Sequence, residues 1–421
     1  MVKKHVVALA LGLSSVALAT DIEGVQPAAL DQPRVNIHLR REPKGKALGA
    51  KGEKGEGDTI NIQAFLDTGA SGILLSGNTA KQLGVKNLTA QGKGGAQAAK
   101  FHDIGVGGGE QFDVSEKLFV FVAPYSSKGE PDDASEYPVG LGPVRTQISA
   151  GGGLIEMLTG GLDVLGMPAI KGHIIVIDPK PVDTFSDMMR CELMVRGKGQ
   201  IPKTDRHVKL TMVDFKPFTH MEPASAEWPT LAANPMMGPN PLGGMAAGGA
   251  GGAGGGGVVA TYKGQKTTGT WLLDTGAAAS MISTEQAKRI GVTYVQGTVG
   301  TDDPRLDGVP KEKQFSISIG GIGGTKKVAG FFLDTLVIPT REGDPLVYKP
   351  APVLVNDITA ENPTTKQKIT LDGVFGMNFL AASAHVTQAG LLPDIKDLTA
   401  GPFEAIVIDE PQQVLGVKLK K

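Results

Sequence analysis

Two stretches of the chain are near copies of each other, and each ends an apolar run on the same tripeptide: Ala64-Phe65-Leu66-Asp67-Thr68-Gly69-Ala70 and Trp271-Leu272-Leu273-Asp274-Thr275-Gly276-Ala277. The likeness continues without a gap, since Leu75-Ser76, Ala80-Lys81 and Gly84-Val85 recur as Ile282-Ser283, Ala287-Lys288 and Gly291-Val292. One unit is therefore used twice. An apolar run that ends on Asp-Thr-Gly carries a carboxylate from a buried strand into a tight turn, where glycine leaves room for a second backbone. Such a carboxylate is costly to bury alone. If the two turns meet back to back, the carboxylates share one site, resist ionising together and hold one proton between them. The pair is then an acid and a base at once.

At these residues the chain resembles the aspartic proteases, in which paired Asp-Thr-Gly turns from two related lobes activate a water. A single Asp-Thr-Gly arises by chance in about one chain in ten of this size, so the weight lies on two copies in one context. The resemblance implies Asp67 and Asp274 as the catalytic pair. It implies that Thr68 and Thr275 hydrogen-bond across to the opposite turn, and that Gly69 and Gly276 let the substrate backbone lie close. It also implies a hydrophobic-hydrophobic-Gly strand about a hundred residues after each aspartate, a place taken by Val164-Leu165-Gly166 and Val374-Phe375-Gly376. Bulky residues there hold the turn from below, and Gly166 and Gly376 let strands cross. In the retroviral-type branch a hairpin flap lies a little over 20 residues past each aspartate; Gln91-Gly92 and Gln296-Gly297, in glycine-rich stretches, are the candidates, with a plain surface loop as the competing reading. The tyrosine that the pepsin branch carries in its flap has no counterpart in the first copy, and Tyr294 lies near the second. Ala70 and Ala277 stand where pepsin-type enzymes usually carry Ser or Thr, with Ser71 and Ser280 close enough in sequence to substitute as donors.

Charge and composition exclude several other classes. Lysine plus arginine (42) nearly balances aspartate plus glutamate (43), so no large field draws the chain to nucleic acid or an anionic membrane. Cys191 is the only cysteine, which excludes an intramolecular disulfide and a cysteine-based zinc site. Seven scattered histidines without an HExxH pair argue against any metal, and no cofactor is expected. The run Gly105 to Gly109 lacks the GK[ST] ending and the helix of a phosphate loop, so hairpin turns account for it.

The 421 residues have room for two cores. Residues 1–19 have the layout of a secretory signal: Lys3-Lys4, an apolar run from Val6 to Leu13, and Ala17-Leu18-Ala19 before the cut. No later segment has the roughly 18 apolar residues of a membrane span. The mature chain is expected to be exported, periplasmic or extracellular, with no stable membrane insertion after cleavage. The expected parts are an N-terminal segment at 20–32, an N-terminal lobe at 33–182, a connection at 183–202 and a C-terminal lobe at 203–421. Within the last, residues 217–257 are rich in Pro, Met and Gly and are expected to be a flexible insertion.

Local patterns fill in both lobes. Val35, Ile37 and Leu39 alternate with polar residues as in a strand with one buried face, and His207 to Val213 is its expected counterpart. Lys44 to Gly57 is rich in Gly, Lys and Glu and reads as an exposed loop. Ser76 caps a short helix, and Ser283 with Gln286 fits a capping box. Strand pairs around glycine turns follow in each copy, and each ends in a similar strand, Ile174 to Pro179 and Ala405 to Pro411. The fold class is thus all-β, with two related acid-protease β-barrel lobes of retropepsin/pepsin-like type and a cleft between them. The expected function is aspartic-type endopeptidase activity on polypeptide substrates by a monomer. Two other classes compete: an inactive lobe pair that binds extended peptides, which retention of both aspartates argues against, and an assembly protein acting through its glycine-rich insertion.

Overall fold

The computed structural model describes residues 19–49, 62–124, 137, 139–150, 161–179, 190–195, 200–242, 256–389 and 392–420. The leader up to residue 18, the charged stretch 50–57 and the glycine tract within 243–255 lie outside the described residues. The protein is predominantly β, with only short helices.

The strand that leads into the first turn, Ile62–Leu66, buries Ile62, Ala64 and Leu66 while Gln63 faces out. It lies antiparallel to Arg34–Arg40 and parallel to Val164–Leu165, which in turn runs antiparallel to Ile73–Leu75. The second copy repeats this arrangement. Trp271–Leu273 lies antiparallel to Asn234–Met237 and parallel to Gly373–Phe375, whose other neighbour is Met281–Ile282. The same order continues outward, through Gln147–Ile148, Gly108–Val114 and Lys100–Gly105 in one sheet and Ala351–Val355, Gly324–Leu333 and Gln314–Gly321 in the other. The closing strands of the two copies pair with each other, His173–Asp178 against Phe403–Asp409, and Leu66, Ile175, Leu273, Phe375 and Ile408 belong to one apolar cluster. Each such side chain, fully buried, is worth about 1.5–3 kcal/mol.

Four expectations need correction. Arg34–Arg40 is covered on both faces: Asn36 and His38 are buried along with Val35, Ile37 and Leu39. His38 packs against the Phe121 and Tyr137 rings at 5.2 and 4.2 Å between centroids, and burial, with help from Arg40, lowers its pKa to about 4, so it serves as a neutral core ring. Leu48, in the stretch expected to be an exposed loop, is likewise buried in the core. Second, the N-terminal segment is not separate. Thr20–Ile22 pairs with Leu346–Tyr348 and Ala28–Ala29 with Ser383–Ala384, both in the second copy.

The third correction concerns the expected insertion. His220–Glu222 pairs with Lys100–His102, and Asn234–Met237, buried throughout, sits between Arg206–Val213 and the strand of the second turn. Residues 234–237, and not 207–213, therefore stand where 34–40 stand in the first copy. Methionine and proline read as irregular by composition, but unbranched Met fills core space well and burial overrides weak strand propensity. Met221, Met236 and Met237 are core residues. The last correction is local. Ser76 and Ser283 accept from the N–H groups of Thr79 (3.0 Å) and Gln286 (3.2 Å), but the Gln286 side chain donates to Asp372 Oδ1 (2.7 Å) and closes no reciprocal box.

Candidate active site

Each turn folds its aspartate back onto its own backbone. Asp67 Oδ1 accepts from the N–H groups of Gly69 (2.7 Å) and Ala70 (3.1 Å), and Asp274 Oδ1 from those of Gly276 (2.9 Å) and Ala277 (3.0 Å). The turns then lock to each other through their threonines. The Thr68 N–H donates to Thr275 Oγ1 and the Thr275 N–H to Thr68 Oγ1, each at 3.1 Å. The hydroxyls donate onward, Thr68 Oγ1 to the Leu273 carbonyl (2.6 Å) and Thr275 Oγ1 to the Leu66 carbonyl (2.5 Å). Both threonines are buried, so these bonds form away from water. Thr68→Val keeps the shape but orphans the Leu273 carbonyl and the Thr275 N–H. At about 1–3 kcal/mol for each buried unpaired group, the variant is expected to lose about 2–6 kcal/mol in urea unfolding. A loss within about 0.5 kcal/mol, the range of a neutral surface change, would show that the crossed bonds do not hold the turns.

The glycines serve the partner aspartate. A Cβ on Gly69 would stand 2.5 Å from Asp274 Cγ, and one on Gly276 would overlap the Asp67 carboxyl. Room for the opposite carboxyl, rather than for a substrate backbone, is thus their first requirement. Gly166 and Gly376 lie under the turns: Cβ atoms there would run into the carbonyls of Ala70 and Ala277, which accept from the N–H groups of Met167 (2.9 Å) and Met377 (2.8 Å).

Asp67 and Asp274 both line one cavity, each carboxyl lying against the glycine of the opposite turn and close enough to the other to interact. Burial raises the pKa of both, and for Asp274 the neighbouring Asp67 charge adds to the rise. Two carboxyls so placed titrate as one unit that holds a single proton over an intermediate pH range.

Several contributors carry no local signal. The Asn234 side chain donates to the carbonyls of Thr68 (3.0 Å) and Gly69 (2.9 Å), bracing the first turn from the strand of the second copy. Gln32, two residues before Arg34 as Asn234 is two before Met236, donates its Nε2 to the Gly276 carbonyl of the second turn. Each turn is thus braced by an amide at or just before the start of the other copy's strand. Asp163 and Asp372 tie the helix and strand ends beneath the turns: Asp163 accepts from the Ser76 N–H (2.8 Å) and Thr79 hydroxyl (2.7 Å), Asp372 from the Thr270 N–H (2.9 Å) and Gln286. Each follows a leucine just before the hydrophobic-hydrophobic-Gly strand, as Leu162-Asp163 and Leu371-Asp372, and that recurrence was the available clue.

The cavity, about 1030 Å³, is at the upper end of the range of roughly 300–1,000 Å³ for small-molecule sites. The flap candidates do not line it. Thr89–Gly92 and Gly95–Ala98 do form a hairpin, but the Gln91 carbonyl faces the Ser225 hydroxyl, and Gln296-Gly297 lies in a turn elsewhere. The lining hairpins are the next along the chain, Lys100–Gly105 with Gly108–Val114 and Gln314–Gly321 with Gly324–Leu333. Their tips touch: the Gly107 N–H donates to the Ile322 carbonyl (2.8 Å) and the Gly323 N–H to Glu110 Oε2 (2.9 Å). Both sets of hairpins have glycine-rich tips, but the lining tips at Gly107 and Gly323 lie 40 and 49 residues past their aspartates rather than a little over 20. Tyr294 is a structural tether, its hydroxyl donating to the Val355 carbonyl (2.7 Å), with burial pushing its pKa up to about 12.

Among the described residues, no group of His, Cys, Asp and Glu is arranged to hold a metal ion, and no helix is long and apolar enough to cross a membrane. The chain matches no protein-family model and none of the curated proteins.

Proposed function

We propose that the chain is an aspartic-type endopeptidase whose two copies act as related acid-protease lobes with the substrate cleft between them. The observation that carries this reading is the meeting of Asp67 and Asp274, side by side, across the crossed Thr68–Thr275 bonds. In this reading one carboxylate takes a proton from a water held between the pair, while the other, protonated, donates to the scissile carbonyl. The carbonyl is polarised as the water attacks, and no covalent acyl-enzyme forms. The two contacting hairpins act as flaps over a polypeptide substrate. The site uses no metal or cofactor, one chain supplies both aspartates, and the leader layout of residues 1–19 fits export. Digestion of a peptide library by the purified mature chain, blocked by a statine-type transition-state mimic, tests the proposal; retention of peptides without turnover would mark a binding module instead.

The pH dependence follows from the carboxyl environment. Burial raises both aspartates, so the range in which the pair holds one proton moves upward. Ala70 and Ala277 offer only their backbone N–H groups. Ser71 and Ser280 do not substitute, because their hydroxyls are engaged with Asn234 and Asn378. The rate maximum is expected above about pH 4, the ordinary aspartate value, and hydroxyls introduced by Ala70→Ser or Ala277→Thr, which favour the charged form, are expected to move it down. A wild-type maximum below about pH 3, or an upward shift in those variants, would contradict this account.

A further inference from the structure

The two cavity-lining hairpins occupy equivalent places but differ in chemistry. With the tips Gly105-Val106-Gly107-Gly108 and Gly321-Ile322-Gly323-Gly324 matched, Asp103 corresponds to Ile319 and Glu110 to Lys326. Asp103 and Glu110 are direct cross-strand partners, and both line the cavity. Like charges directly opposite each other work against pairing, so the fold of the hairpin gives no reason for them. Among the described residues, only neutral donors are hydrogen-bonded to them: Gln147 Nε2 and the Ile104 N–H at Asp103 (2.8 Å each), and the Gly323 N–H at Glu110. Among the described residues, no Lys, Arg or His lines the cavity. Burial pushes the Asp103 carboxyl above the usual range, as expected where no cation offsets desolvation.

The lining contributed by the second copy is largely apolar. Ala277, Ile317, Ile319, Ile358 and Leu371 line the cavity and pack into the cluster of Leu272 and Met281. Because the hairpins belong to opposite copies, an extended chain crossing the aspartate pair meets one wall before the scissile bond and the other after it.

We propose that the cavity selects polypeptides with a lysine or arginine side chain seated against Asp103 and Glu110 on one side of the scissile bond, and a large apolar side chain against Ile317, Ile319 and Leu371 on the other. This selection rests on the peptidase reading, and binding tests it separately. A randomised peptide library is both digested by the full mature chain and retained on the immobilised chain. Cut and retained sequences are expected to be enriched in Lys or Arg on one side and Leu, Ile, Phe or Met on the other. A peptide pair differing only in lysine or norleucine at the enriched position is expected to differ at least about tenfold in Kd, the scale of a desolvated charge pair.

The preference is expected to fall below about twofold, a few tenths of a kcal/mol, in Asp103→Asn/Glu110→Gln. Both substitutions are isosteric, and the amide oxygen introduced by Glu110→Gln still accepts from the Gly323 N–H, so the hairpin contact survives; Asp103→Asn alone serves as a second variant. Cleavage or retention without cationic preference, or a preference unchanged in the double variant, overturns the subsite. Cation-selective retention without cleavage overturns the peptidase reading and leaves the subsite standing. Neither retention nor cleavage overturns both.

Discussion

Asp67→Asn and Asp274→Asn are each expected to lower kcat on a peptide substrate by about 10³-fold or more while leaving the protein folded. Neither carboxyl can both accept the proton of the water and donate one to the carbonyl, so removing either ionisable group removes one of the two transfers, each worth about 10²–10⁴-fold. Because the two act as a unit, the double variant is expected to be no worse than the worse single one. The fold is expected to survive because the asparagine oxygen still accepts from the N–H groups that hold the turn, those of Gly69 and Ala70 or of Gly276 and Ala277. Burial already disfavours the charged forms, so neutralising one removes a desolvation cost. Steady-state kinetics and a thermal melt of the same samples check both halves. Near-wild-type turnover in either variant would remove the pair from the chemistry, and a collapsed melt would make the aspartate structural.

The double variant Met236→Ala/Met237→Ala is expected to lose most of its stability. Both residues are fully buried, Met236 opposite Leu272 and Met237 opposite Trp271, in the strand beside the second turn. They face opposite sides of the sheet, Met237 in the large cluster and Met236 in the cluster behind the cavity wall, so their losses should add. Burial of a Met side chain is worth about 2–5 kcal/mol against Ala. The pair then costs about 4–10 kcal/mol, against a total of about 5–15 kcal/mol for an ordinary domain. Urea unfolding followed by tryptophan fluorescence reports it directly, Trp271 being the cross-strand neighbour. Activity should fall as well, since Asn234 braces the first turn from the same strand. A loss below about 1 kcal/mol, the size of an average substitution, would show that the strand is dispensable. The composition of 217–257 suggests the opposite outcome, because Pro, Met and Gly carry no period-2 pattern.

That contrast shows where local pattern stops being informative. Ile62–Leu66 announces itself by alternation, as do the paired hairpin strands, because one face of each is buried and the other is not. Asn234–Met237 and Gly373–Phe375 are buried on every residue and show no alternation. The cavity-lining hairpins were not singled out for a related reason: glycines permit a turn wherever they occur, and only packing against the partner hairpin distinguishes Gly107 and Gly323 from Gly92 and Gly297.

By itself the sequence determined the chemistry that a few adjacent residues carry: the repeat, the predominance of β-structure, and two aspartates delivered from apolar strands into glycine turns. Such features depend on side-chain periodicity and on the backbone freedom of glycine, both local. Only the tertiary structure decided which distant groups complete the site. Asn234 reaches Gly69 across 165 residues and Gln32 reaches Gly276 across 244, and such contacts leave no period in the chain. The asymmetry of the cavity was likewise invisible until strand register set Asp103 opposite Glu110 on one wall and Ile319 on the other, because a side chain's charge is written in the sequence but the surface it faces is set by packing.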